Sequence, residues 1–194
     1  MRYASLSAFL EQGKAAFAKG PLALIFAEDP VEVDTTLRHH LAAGFPHVAL
    51  LAPEGIEVPP ALEALVHRVM LDVHRENAVF DAINAVIAAA PEIWLYYCYN
   101  AEYLFHPFCE TRNVRELIAF HVEERRTAML SYVIDLYADD LGQHPNAVSL
   151  ERAHLTGRVI TRWPGPIRPT TITPRSGNWI SLADCAGGLK SMCR

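Results

Sequence analysis

Ile93-Trp-Leu-Tyr-Tyr-Cys-Tyr-Asn100-Ala-Glu-Tyr-Leu104 decides the fold. The stretch opens as an unbroken apolar and aromatic run and turns polar at Asn100 and Glu102. A strand buried on both faces of a parallel sheet reads as such a run rather than as an alternation. Open α/β sheets bind ligands outside the carboxyl ends of their strands, which is where Asn100 and Glu102 fall. Two oxygen-bearing side chains at i and i+2 share one side of an extended chain. That spacing lets both face a Mg²⁺ or Mn²⁺ ion carrying a diphosphate. The competing reading is a turn, in which Asn tolerates unusual backbone angles and Glu102 is solvated.

Upstream of this strand, 76–90 reads as a helix with Val79, Ile83, Val86 and Ile87 on one side, ended by Pro91. Buried strands are expected at 22–27 and 47–52, and a weakly alternating one at 66–73. The intervening helix, 30–43, starts with an early Pro and stops at Gly44. A short helix is expected at 60–65. The first helix, 5–19, takes Ser5 or Ser7 as its N-cap and Gly20 as its stop. Downstream, 114–126 reads as a charged amphipathic helix and 129–137 as a fifth strand. Alternating strands and helices predict an α/β fold, a mostly parallel sheet with helices on both faces.

The 194 residues suffice for one domain with a sizeable core, and 51% are hydrophobic. The net charge of −5 and the lack of a basic, aromatic-rich patch before the tail argue against a nucleic-acid partner. Glu11, Lys14 and Lys19 interrupt any apolar leader near the N-terminus. The apolar run 85–97 contains Pro91 and Glu92 and is too short for a transmembrane segment. Cys98, Cys109, Cys185 and Cys193 show no Cys-x-x-Cys pairing, which fits reduced thiols in the cytoplasm.

The body and the tail differ in charge. Residues 1–156 hold 11 Lys/Arg against 21 Asp/Glu, whereas residues 157–194 hold 6 against 1. The expected organisation is an α/β domain over 1–155 and a basic, Pro/Gly-rich irregular tail over 156–194. One reading makes the tail a disordered extension touching acidic lipid or a partner, a peripheral membrane contact. Another makes it an out-of-frame translation, because suitable codons in a neighbouring frame yield text more like a folded domain. The fold is then incomplete at the C-terminus.

Several constellations carry little chemistry. His39 and His40 are neighbours on a helix, so they diverge by about 100° and cannot share one metal; one packs and the other faces solvent. Asp34 and Arg38 make an i, i+4 pair. Cys98 is expected buried and inert, and Cys109 with His106 lacks an orienting acid. No Gly-x-Gly-x-x-Gly, Walker-type loop or Gly-x-Ser-x-Gly elbow occurs. The ligand candidates are Glu28 and Asp29, just past the first long strand, and Asn84 on the helix before the aromatic strand. As an alternative, Glu28-Asp29 is a solvated loop favourable to the next helix N-terminus, and Asn84 a polar-face residue.

The order of these elements resembles family 2 glycosyltransferases of the GT-A (Rossmann-like) fold, in the bacterial branch that handles cell-surface polysaccharide. The resemblance covers residues 20–155. It rests on Ala27-Glu28-Asp29, on Leu37-Arg-His-His-Leu-Ala-Ala-Gly-Phe45 with the following Val48–Leu51, and on Ala82-Ile-Asn-Ala85. The group's Asp-x-Asp-Glu-Phe metal motif stands here in altered form, as Asn100-Ala-Glu102-Tyr103 or one step earlier from Cys98. The resemblance implies sugar transfer from a nucleoside diphosphate sugar to a glycan or other hydroxyl acceptor, with Mn or Mg on the diphosphate. It implies that Glu28, Asp29 and Asn84 lie near the nucleotide and that Asn100 and Glu102 face the metal. It identifies no catalytic base. Asn in place of the first Asp weakens the implied metal site. The alternative is therefore a non-catalytic GT-A-like module that binds a nucleotide, a glycan or a protein.

Overall fold

A computed structural model of the chain describes residues 1–131, 133–155 and 179–182. Its elements are β1 (Arg2–Tyr3), α1 (Leu6–Gln12), α2 (Lys14–Ala18), β2 (Leu22–Phe26), α3 (Val33–Ala42), β3 (His47–Ala52), α4 (Pro60–Glu63), β4 (His67–Met70), α5 (Ala78–Ala89), β5 (Leu95–Tyr99), α6 (Val114–Glu123), β6 (Ala128–Ser131), β7 (Leu136–Ala138), β8 (Ala153–Leu155) and β9 (Trp179–Leu182). The main sheet runs β1-β4-β3-β2-β5-β9-β6. Every pairing from β1 through β9 in that order is parallel.

The expected α/β architecture is thus present. β2 lies at the centre, with Leu22↔His47 on one side and Leu22↔Leu95 on the other. All five of its residues are fully buried, which explains a run without polar alternation. Helices cover both faces. On one, Leu22, Leu24, Phe26, Leu95 and Tyr97 pack with Phe9 of α1, Ala16 of α2 and Val79, Ala82, Ile83 and Val86 of α5. On the other, the Tyr96 ring packs, tilted, at 5.2 Å from His40 of α3 and 5.4 Å from Phe45. Alternate residues of one strand therefore serve two helical layers.

The described residues divide into two compact units, 1–129 with 179–181, and 130–155 with 182. In the second, β7 and β8 form an antiparallel pair, Tyr137↔His154.

Several elements differ from expectation. The first helix breaks at Gly13, whose N–H bonds the Phe9 carbonyl at 2.7 Å. Ser5, not Ser7, caps α1 by accepting from Ala8 N at 3.1 Å. α3 begins only at Val33, because Pro30 and Val31 lie in a turn where the Asp29 carboxylate accepts from Val31 N at 2.8 Å. β4 ends at Met70, and Asp72 forms a similar turn by accepting from His74 N at 3.1 Å. The expected strand 129–137 is two strands, β6 and β7, with 133–135 outside both. β1 was not expected, since two residues carry no periodicity. Most of the expected irregular tail lies outside the described residues, but 179–182 form β9 alongside β5.

Candidate functional site

The chain visits β2, β3 and β4 in one direction across the sheet and then returns past β2 to β5. Successive crossovers therefore diverge between β2 and β5. At such a switch point the loops leaving the two strands part on opposite faces and open a crevice at the carboxyl edge. β2 ends at Phe26 and β5 at Tyr99, directly paired. Glu28-Asp29 and Asn100 follow them, so these sequence-predicted residues meet at the switch point although 71 positions separate Asp29 from Asn100.

The contact is a clasp. The Asn100 amide Nδ2 donates to Asp29 Oδ1 at 2.8 Å and to the Val31 carbonyl at 3.0 Å. Its Oδ1 accepts from Glu28 N at 3.0 Å, and its backbone N–H bonds the Phe26 carbonyl at 3.0 Å. This orientation uses the two faces of an amide as donor and acceptor, which an aspartate in the same place could not do. Glu102 turns back on its own strand: Oε2 accepts from Tyr99 N at 2.7 Å. Between them Ala101 takes a left-handed φ of 60°, and its N–H donates to Thr36 Oγ1 at 2.9 Å. The polar end of the aromatic strand is a tight turn, in which Glu102 is half-buried and hydrogen-bonded rather than solvated.

Glu28 and Asp29 are exposed, and Asn100 and Glu102 half-buried. Asn84 is exposed on α5 and makes none of these contacts. His74, which sequence reasoning passed over, reaches the same edge: Nε2 lies 3.0 Å from the Glu28 carbonyl. Its only signal was position, in the loop leaving a strand. Tyr103 and Thr35 share a hydrogen bond at 2.8 Å, and His39 Nε2 lies 2.8 Å from the Leu104 carbonyl, so α3 braces the segment after Glu102. His39 is thus half-buried and engaged rather than solvent-facing, whereas His40 is fully buried as the packed member of the pair. Asp34 and Arg38 do pair, at 3.9 Å.

Among the described residues no three His, Cys, Asp or Glu side chains gather as ligands for an ion. Asn100 Oδ1 and Glu102 Oε2 each accept from a backbone N–H, of Glu28 and of Tyr99.

Behind the clasp lies a buried polar pair. Cys98 Sγ is 3.7 Å from His40 Nε2, and His40 Nδ1 is 2.8 Å from the Thr36 carbonyl. Burial pushes the Cys98 thiol well up, and the Glu102 charge adds to this. Burial pulls His40 down to about 4. The pair is therefore a neutral imidazole and a neutral thiol, not an activated nucleophile. His106 Nδ1 turns to the Pro107 carbonyl at 3.1 Å, leaving Cys109 without an imidazole partner among the described hydrogen bonds. No helix among the described residues is long and apolar enough to cross a membrane. Comparison of the chain with protein-family models, with curated proteins and with solved structures finds no match in any of the three.

Proposed function

We propose that this chain carries a nucleotide-sugar-binding domain of the family 2 glycosyltransferase kind, acting in the cytoplasm on cell-surface polysaccharide. The supporting observation is the meeting of Glu28, Asp29 and Asn100 at the β2–β5 switch point, where doubly wound sheets open toward ligands. In this reading the nucleoside lies along the Glu28–Asp29 loop, within reach of His74, and the diphosphate lies over the turn of Asn100 and Glu102. Carboxylates at this edge accept hydrogen bonds from a ribose or base. A bound Mn²⁺ or Mg²⁺ would neutralise the leaving diphosphate. The residues themselves position the donor and keep the lip rigid. The acceptor is a hydroxyl of a glycan.

A second reading is a non-catalytic module of the same fold, binding a nucleotide, a glycan or a protein. The observation favouring it is that the Asn100 amide is engaged by Asp29, Val31 and Glu28. Titrating UDP- and GDP-sugars with Mn²⁺ while following thermal stability, then assaying sugar release, separates the two. Metal-dependent stabilisation with turnover supports the enzyme. Stabilisation without turnover supports the module, and no stabilisation refutes both as nucleotide-sugar readings.

A further inference from the structure

Away from the switch point, at the β1–β4 edge of the sheet, Arg68 is only 4% exposed. Its register partner is Arg2, so two guanidinium groups stand side by side on one face of the sheet. Arg2 is matched: Nε and Nη2 donate to the two carboxylate oxygens of Glu63, at 2.5 and 3.0 Å. Arg68 is not. Its Nη2 donates to the carbonyl oxygens of Ile56 and, at 3.4 Å, of Glu54. Among the described residues no carboxylate oxygen lies within 4.0 Å of its guanidinium. Arginine is almost never fully buried unless paired, because a desolvated cation without a counter-charge is unfavourable.

Arg68 also lines a pocket of about 240 Å³. The pocket wall has three chemistries. Arg2 and Arg68 are cationic, Glu54 and Glu57 are anionic and exposed, and Ile56, Val58 and Met70 are apolar. The volume lies below the roughly 300–1,000 Å³ typical of drug-sized ligand sites, so a nucleotide sugar is too large for it. The two glutamates on the rim disfavour a multiply charged anion such as phosphate.

We propose that this pocket binds a small zwitterion, an α-amino acid with an apolar side chain. Its carboxylate makes the direct ion pair that Arg68 lacks, through the guanidinium hydrogens not already donated to Ile56 and Glu54. Its ammonium group faces Glu54 and Glu57, and its side chain covers Ile56, Val58 and Met70. The site is independent of the nucleotide-sugar reading, and each stands or falls alone.

The test is a titration of the full chain by thermal shift and calorimetry. The probes are leucine and methionine, 3-methylbutylamine (no carboxylate), 4-methylpentanoate (no amine) and inorganic phosphate. Leucine or methionine should raise Tm saturably, and each single-charge analogue and phosphate should bind at least about tenfold more weakly. Arg68→Lys should weaken the amino acid by a similar factor. Because Arg68 also ties down the 53–58 loop, the double variant Glu54→Gln/Glu57→Gln, confined to exposed side chains, provides a second readout and should weaken binding likewise. No saturable shift, equal binding of 4-methylpentanoate, tighter binding of phosphate, or wild-type affinity in the double glutamine variant would each overturn the proposal.

Discussion

The Asn100 side chain hydrogen-bonds Asp29 Oδ1 at 2.8 Å across the two loops that leave the central strands. It ties the end of β5 to the loop after β2, and its bonds to Glu28 N and the Val31 carbonyl join the same two loops.

Asn100→Ala removes this clasp and leaves the Asp29 carboxylate and the Glu28 N–H to water. Hydrogen bonds contribute about 0.5–1.5 kcal/mol each, more when one partner is charged, so a loss of about 2 kcal/mol is expected. Asn100→Asp, which restores a carboxylate of the kind the glycosyltransferase motif carries, sets two like charges together and should also destabilise at neutral pH. Urea unfolding of both variants checks this; a variant as stable as the parent would show that the clasp contributes nothing.

Glu102→Ala should abolish metal-dependent nucleotide binding while the fold persists. The loss of the Glu102–Tyr99 hydrogen bond at the strand end is expected to reduce stability by about 1–3 kcal/mol. Calorimetric titration with a nucleotide sugar and Mn²⁺ tests it, with far-UV circular dichroism as the control for folding. Unchanged affinity would remove Glu102 from the site.

Acid should weaken the fold through His40. Its folded pKa is about 4, lowered by burial, against 6.5 for an unfolded histidine. The unfolded chain therefore binds the proton more readily, and stability falls as pH drops from about 6.5 toward about 4, then levels off with respect to this group. The full effect is about 3 kcal/mol at 1.36 kcal/mol per unit. His67, also lowered to about 4 by burial and by nearby His47, works in the same direction, discounted for its exposure. Urea midpoints measured from pH 7.5 to 4 should show the slope, and His40→Leu should flatten it.

Gly44→Ala should be among the more harmful single-methyl additions. Gly44 ends the turn after α3 with φ of 94°, and an added Cβ would meet the Asn113 Cβ at 2.8 Å. Asn113 is held in place as the N-cap of α6, in a capping box with Glu116. Left-handed strain and overpacking together suggest about 2–3 kcal/mol, readable as a fall in Tm.

The sheet was legible because β2, β5 and β3 after His47 are continuous apolar runs, the pattern of a parallel strand covered on both faces, short and alternating with helical segments. β3 lies at its expected limits, 47–52. Helix starts were less legible, since Asp29 and Asp72 turn the chain through side-chain hydrogen bonds before the helical period begins. The candidate site was half legible. Glu28, Asp29, Asn100 and Glu102 were marked by lying just past strand ends, which is a local property. The hydrogen bonds of Asn100 to Glu28 and Asp29, and the approach of His74, depend on strand order, which no local pattern encodes. Asn84 was marked by its place on the helix before the aromatic strand and is exposed on α5. The lone guanidinium of Arg68 left no trace in sequence, because Val66 to Val73 reads as an ordinary weak alternation.

Cys98 sits at zero exposure at the centre of the sheet, with the His40 ring against its sulfur, while Cys109 is partly open. In a Cys185→Ser/Cys193→Ser background under native conditions, a thiol-reactive dye should therefore modify Cys109 promptly and reach Cys98 only when β5 separates from its neighbours. The slower labelling rate becomes a clock for how often the molecule opens at its middle, read without any denaturant and with the faster cysteine as an internal reference.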